Sequence, residues 1–139
     1  MRFQVSREIQ ASQARVWQVL TDAKLLQNGA FGITRIEGQI ANGSRIKVWS
    51  TVSPGRAFPL NVDFAEPERK MVWRGGMPLG LFQGVRAFTL TPSEGGTIFH
   101  MREVYSGLLA GLVTKTIPDL GPSFGTFAQA LKAASEGTR

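Results

Sequence analysis

A long stretch of the chain alternates apolar with polar residues, and a single segment of helical period follows it. The alternation runs from Phe31 to Tyr105 and is interrupted only by turn-like sequences. Beyond it, apolar side chains recur at steps of three or four from Leu109 to Leu131. Period two is typical of strands with one buried face, and a period near 3.6 is typical of an amphipathic helix. A sheet this long with one helix to cover it must curl around that helix to bury its apolar face.

Two short helices are predicted between a first strand and the alternating stretch. Residues 2–10 alternate and predict the strand. Ser12 is placed to cap a first short helix, and Asp22 to cap a second one that ends at Asn28-Gly29. Serine and aspartate are preferred at this position because their side chains accept hydrogen bonds from the free backbone N–H groups of the first turn.

Turn-forming sequences divide the alternating stretch into five or six strands. Asn42-Gly43 is the strongest short hairpin signal, and further turns are predicted at Glu66–Glu68 and Pro92–Gly96. The glycine-rich apolar segment Gly75–Phe82 is predicted to be a loop, either a lid at a pocket rim or a loop packed over the core.

The C-terminal helical segment contains Pro118 and Pro122, yet its apolar phase persists across both. We therefore predict one long kinked helix over Leu109–Leu131. The predicted fold class is α+β, in a helix-grip arrangement. A curved antiparallel sheet of about six to seven strands wraps on a long C-terminal helix, with two short helices after strand 1. The length of the chain fits a single domain over residues 1–139.

Composition excludes several classes of function. The chain has no cysteine, so it has neither disulfides nor thiol chemistry. The net charge of +6 comes from basic residues scattered along the sequence, so we predict no nucleic-acid binding. The N-terminus has no apolar signal-like segment, and the longest near-apolar run, Gly107–Val113, is too short to span a bilayer. We expect a cytoplasmic protein, a monomer or weak homodimer, without a cofactor.

The order of these patterns resembles the START-like or SRPBCC superfamily, especially its polyketide cyclase/dehydrase-like branch. The resemblance rests on four segments that together cover most of the chain: Glu8–Asp22, Pro67–Gly75, Phe82–Leu90 and Gly95–Leu109. It implies a helix-grip domain with an internal, largely apolar pocket closed by the C-terminal helix. The superfamily includes lipid carriers, hormone receptors, aromatase/cyclases and chaperone co-regulators, so the resemblance implies a fold more narrowly than a function.

One charged pair stands out among the predicted inward-facing residues. Arg86 and Glu103 flank the Pro92–Gly96 turn, and antiparallel register places them opposite each other. The pair is interpreted either as a polar anchor for a ligand or as a structural ion pair near the sheet edge. A buried Glu103 is also a candidate general base, with Tyr105 as a hydrogen-bond donor. Arginine stays charged, so Arg86 cannot serve as an ordinary acid or base.

His100, the only histidine, alternates with its neighbours onto the opposite, outward face. With no second histidine and no cysteine, we predict no metal site and no serine-type triad.

The leading functional hypothesis is the binding of a small hydrophobic or aromatic molecule, lipid-like or polyketide-like, between the sheet and the C-terminal helix. The alternatives are a polyketide cyclase/dehydrase-type enzyme that uses Glu103 and Arg86, and a protein-interaction module of the chaperone co-regulator type. The predicted ligand-binding residues are Phe58, Phe64, Trp73, Phe82, Arg86, Phe88, Phe99, Met101, Glu103, Tyr105, Leu112, Thr116, Leu120 and Phe124.

Overall fold

The computed structural model describes residues 2–27, 30–51, 53–116 and 121–137. In chain order the elements are β1 (Arg2–Ile9), α1 (Gln13–Leu20), α2 (Ala23–Leu26), β2 (Ile33–Glu37), β3 (Arg45–Ser50), β4 (Ser53–Glu66), β5 (Lys70–Met77), β6 (Phe82–Ser93), β7 (Gly96–Ser106), α3 (Ala110–Val113), a 3-10 turn (Thr114–Thr116) and α4 (Gly121–Gly137).

Seven antiparallel strands form one sheet in the order β1-β7-β6-β5-β4-β3-β2. The sheet curls around α4, which confirms the predicted α+β helix-grip class. We call the end that carries the β5–β6 turn, residues 78–81, the open end of the sheet. The far end carries the β4–β5 and β6–β7 turns. No helix among the described residues is long and apolar enough to cross a membrane.

Both short helices begin at the residues that the sequence predicts. Ser12 Oγ accepts a hydrogen bond from the backbone N–H of Arg15 at 3.1 Å, and Asp22 Oδ1 accepts one from Leu25 at 3.2 Å. Each cap satisfies a first-turn donor that has no partner within its helix. The predicted stop at Asn28-Gly29 lies outside the described residues.

The centre of the concave face is filled by aromatic side chains. Phe127 of α4 lies 5.9 Å from Phe88, 6.2 Å from Phe99 and 5.4 Å from Phe31, measured between ring centroids. All four rings are buried. Aromatic contacts at these separations fix the helix on the sheet in one position.

The C-terminal segment differs from the single kinked helix predicted over Leu109–Leu131. The short helix α3 and the 3-10 turn come first, and α4 begins only at Gly121. Pro122 lies in the first turn of α4, where its missing N–H would have no partner in any case. This position is compatible with the start of a helix, and residues 117–120 before it lie outside the described residues. Pro118 lies outside the described residues.

The predicted loop Gly75–Phe82 is also shorter than expected. Gly75 and Gly76 continue β5, and Phe82 begins β6, so the turn itself comprises residues 78–81. Gly76 has φ +145°, and a Cβ at this position would lie 2.3 Å from the carbonyl oxygen of Phe82. These glycines allow close approach of two strands, a role that glycine has within sheets as well as in loops.

The Asn42-Gly43 turn lies inside a longer connection and does not join two strands directly. The last β2–β3 pair is Glu37 with Lys47, and the backbone N–H of Ser44 donates to the carbonyl of Ala41 at 3.0 Å. Asn42 Oδ1 accepts from Phe64 N–H at 2.9 Å, so the turn extends the edge of β4.

Candidate functional site

The structure divides the predicted ligand-binding residues into a packed group and a partly exposed group. Trp73, Phe88, Phe99, Met101 and Phe124 are buried in the core. The partly exposed group lies toward the open end and consists of Phe58, Phe82, Arg86, Glu103 and Tyr105. The open end is therefore the part of the concave face where a ligand could reach polar side chains.

The other predicted residues lie elsewhere or outside the described chain. Phe64 packs edge-on against Trp17 of α1, with centroids 4.9 Å apart. Leu112 is exposed on α3 instead of facing the sheet, because α3 is a separate short helix. The side chain of Thr116 and all of Leu120 lie outside the described residues.

Arg86 and Glu103 form an ion pair on the concave face. They are direct cross-strand partners between β6 and β7, and Arg86 Nη2 lies 2.7 Å from Glu103 Oε2. Their side chains are 23% and 13% exposed, well below the exposure of a surface pair. Removing one member of a pair this shielded from water leaves the other charge uncompensated, which destabilises a protein.

Arg86 presents a second nitrogen that the ion pair does not use. Its Nε is buried and has no hydrogen-bond partner among the described residues, and the same holds for Nε1 of Trp73. Trp73 is the cross-strand neighbour of Arg86 on β5. The guanidinium also lies over the ring of Phe124, at 4.8 Å from its centroid, in the geometry of a cation–π contact.

Tyr105 extends the polar group toward the open end. Its hydroxyl donates to Glu103 Oε2 at 3.1 Å, and its ring stacks on Phe82 with centroids 5.6 Å apart. Burial raises the pKa of Tyr105 well above its usual range, and the nearby Glu103 carboxylate raises the pKa further, while Arg86 opposes the shift. The hydroxyl is therefore protonated at neutral pH and acts as a donor.

Two features of this site were not found from the sequence. Phe3 of β1 is the cross-strand partner of Glu103 and contacts the rings of Tyr105 and Phe124. Gly84, opposite Tyr105, leaves room for the tyrosine ring, since a Cβ there would lie 3.1 Å from Tyr105 Cε1. The alternation of β1 placed Phe3 on an inner face, but only the pairing of β1 with β7 brings it to the site.

Two open clefts among the described residues lie away from this site. The larger, about 570 Å³, has a mixed polar and apolar lining and lies between α1–α2 and residues 38–41. The smaller, about 190 Å³, lies at the far end beside Arg69 and Thr89. The internal cavity between the sheet and α4 stays a prediction.

His100 lies on the convex face, as predicted. Its Nε2 is 3.4 Å from Gln4 Oε1, across the β1–β7 pair. Within the described ranges, no three His, Asp or Glu side chains group closely enough to hold a metal ion.

Comparison with known proteins identifies the family. Residues 1–136 match the family model described as "Polyketide cyclase / dehydrase and lipid transport". No curated protein matches the chain in sequence.

Solved structures share the fold at low sequence identity. Protein MLL2253 from Mesorhizobium loti is 20% identical, with a TM-score of 0.68 over 100% of this chain and 99% of that one. Protein jhp0584 from Helicobacter pylori is 15% identical, with a TM-score of 0.77 over 98% and 88%. DynU16, from the dynemicin biosynthetic locus, is 19% identical, with a TM-score of 0.68 over 94% of this chain and 45% of its own. At these identities the likeness establishes the fold alone.

Proposed function

Because the chain belongs to the polyketide cyclase/dehydrase and lipid transport family, we propose that it binds a small, mostly apolar molecule between the open end of its sheet and α4. The observation that carries this proposal is the pair of buried donors, Arg86 Nε and Trp73 Nε1, which have no acceptor among the described residues. A buried donor without a partner costs about 1–3 kcal/mol. A ligand oxygen placed on the concave face, within reach of these donors on β5 and β6, would recover part of that cost.

The charge balance of the site favours an uncharged acceptor. The carboxylate of Glu103 already neutralises Arg86, so a second carboxylate would meet like charge in a poorly solvated place. A ketone, ester or hydroxyl oxygen would meet no such repulsion. The partly exposed rings of Phe58 and Phe82 supply apolar contact for the rest of the molecule.

A fluorescent naphthalene ketone, Prodan, tests the proposal in solution. We expect wild-type protein to bind it with a blue shift of its emission, and the variants Arg86→Leu and Trp73→Phe to bind it at least about fivefold more weakly, since each removes one donor. The matched probe is N-phenyl-naphthylamine, which lacks the carbonyl and should bind all three proteins alike. Circular dichroism verifies that each variant is folded.

Equal affinity of all three proteins for Prodan would contradict the proposed polar anchor. Failure of the wild-type protein to bind either probe would contradict the apolar pocket itself. If the wild-type protein binds Prodan as expected, native mass spectrometry of the protein purified from its own host would identify the natural ligand by mass.

A cyclase or dehydratase activity is the second candidate, and the state of Tyr105 favours it. The protonated hydroxyl of Tyr105 could turn from Glu103 to donate its hydrogen bond to the oxygen of a developing enolate. If the site catalyses such a step, Tyr105→Phe should lower kcat for a poly-β-ketone substrate while KM changes little. If the wild-type protein binds the substrate but does not turn it over, the catalytic candidate is contradicted and binding remains the proposed function.

A further inference from the structure

Exposed aliphatic side chains collect at the open end, outside the proposed ligand site. Leu79 is 92% exposed, Leu108 is 85% exposed and Leu112 is 65% exposed, and Met77 is exposed beside them. We call these four residues the apolar tip. Single exposed leucines are common on protein surfaces, but several on adjoining segments indicate a contact surface.

The two segments that carry the apolar tip are joined by backbone hydrogen bonds. The N–H of Leu108 donates to Gly80 at 3.2 Å, and the N–H of Leu109 donates to Leu81 at 2.7 Å. At Gly107 a Cβ would lie 2.7 Å from the carbonyl oxygen of Leu81, so the chain after β7 lies directly on the β5–β6 turn. The apolar tip is therefore one continuous structural unit.

The side chain of Leu79 does not pack in the core. It adopts φ +61°, a left-handed conformation that leucine enters at an energetic cost and that glycine or asparagine would adopt more easily. Its side chain is directed away from the protein. A large aliphatic residue at such a position is better explained by what it contacts outside the chain.

The two segments that carry the apolar tip contain no acidic residue. No acidic residue occurs from Lys70 to Ser93 or from Val104 to Thr116. Exposed basic side chains toward the open end include Arg2, Arg56 and Lys115, and the exposed Glu37 there is paired with Arg35. The strand ends and turns at the far end carry exposed Glu8, Glu66, Glu68 and Glu94 together with exposed Arg69 and Lys70.

From this arrangement we infer that the apolar tip docks on an anionic phospholipid surface. Protruding aliphatic side chains with basic residues around them suit the boundary between acyl chains and anionic headgroups. A second copy of the chain is a poorer partner, because the same basic end would face itself. The inference rests on the proposed function and deepens it, since the ligand site opens at the same end and would exchange its apolar ligand with the bilayer.

The absence of cysteine allows a direct test with site-specific labels. Leu79→Cys carries an environment-sensitive NBD label at the apolar tip. Ile98→Cys is the matched control, since Ile98 is exposed on the convex face near the far end. With vesicles of phosphatidylcholine and phosphatidylglycerol in a 7:3 ratio, we expect a blue shift and increased emission at Leu79 only. With phosphatidylcholine alone the response should be several-fold weaker.

An unlabelled variant makes the test quantitative. Leu79→Ser with Leu108→Ser should lower the partition coefficient for the mixed vesicles at least about tenfold, because both side chains insert in the bound state. Ile98→Ser should leave it unchanged. The double variant should still bind Prodan in the absence of vesicles, whereas Arg86→Leu should lose Prodan binding and keep vesicle binding, so the two proposals fail separately.

Three results would overturn the docking surface. The wild-type protein could fail to sediment with mixed vesicles, or the double variant could bind them as the wild type does. Sedimentation velocity without vesicles could also show that the wild-type protein is a dimer and the double variant a monomer, which would assign the apolar tip to self-association.

Discussion

The ion pair between Arg86 and Glu103 should show a large coupling energy in a double-mutant cycle. Exposed ion pairs contribute about 0.2–1 kcal/mol, and breaking a fully buried pair costs about 3–5 kcal/mol. The Arg86 and Glu103 side chains, at 23% and 13% exposed, fall between these limits. We therefore expect Arg86→Leu and Glu103→Leu each to lower the free energy of unfolding by about 2 kcal/mol.

The double variant should be little less stable than either single variant. Among the described residues, Arg86→Leu leaves the Glu103 carboxylate with the Tyr105 hydroxyl as its donor, and Glu103→Leu leaves the guanidinium with the Phe124 ring. The double variant contains neither unpaired charge, and two leucines can pack beside Phe3 and Phe124. The expected coupling energy is about 2 kcal/mol, measured by urea unfolding monitored through tryptophan fluorescence.

A second ion pair in the same sheet provides the control. Arg74 and Asp63 lie 3.4 Å apart across β4 and β5, but their side chains are 46% and 51% exposed. The same cycle with Arg74→Leu and Asp63→Leu should give a coupling energy below about 0.5 kcal/mol. Equal coupling in the two pairs, or additive effects of Arg86→Leu and Glu103→Leu, would refute the argument that burial distinguishes the site.

Two further predictions concern residues around the pair. The pKa of Tyr105, the only tyrosine, is higher in the folded than in the unfolded chain, so stability should fall as pH rises above the unfolded pKa of about 10. Phenolate absorbance near 295 nm should therefore appear together with alkaline unfolding seen by circular dichroism; ionisation of the folded protein near pH 10 would contradict the assigned burial. Gly76→Ala should destabilise the protein by more than about 3 kcal/mol because its Cβ meets backbone, while Gly84→Ala should cost about 1 kcal/mol because the Tyr105 ring can shift; similar midpoints of urea unfolding would contradict this difference.

The order of elements could be predicted because local patterns determine it. Alternation marked the strands, and Ser12 and Asp22 marked the helix starts through side-chain caps that need no tertiary contact. The register of Arg86 against Glu103 was also predictable, since the short β6–β7 turn between Ser93 and Gly96 fixes it.

The sequence is ambiguous where one residue type serves two structural roles. Pro122 fits a kink within a helix or the first turn of a new one, and the apolar phase of the segment is the same in both cases. Gly75 and Gly76 fit a flexible loop or two closely packed strands. Which of the two roles such a residue has depends on its neighbours in space, which the local sequence does not reveal. The same holds for Phe3, which reaches Glu103 only because β1 pairs with β7 from the other end of the chain.

The described part of α4 is shorter than the strand on which it packs. With 17 residues, α4 is roughly 25 Å long, whereas the 12 residues of β6 extend roughly 40 Å. The difference is roughly 15 Å, about the length of chain from Phe82 to Arg86. Phe124, in the first turns of α4, lies over the Arg86 guanidinium, and Phe127 packs on Phe88 two residues further along β6. The polar group therefore lies beside the beginning of the described part of α4, whereas the middle of the helix packs on the aromatic core.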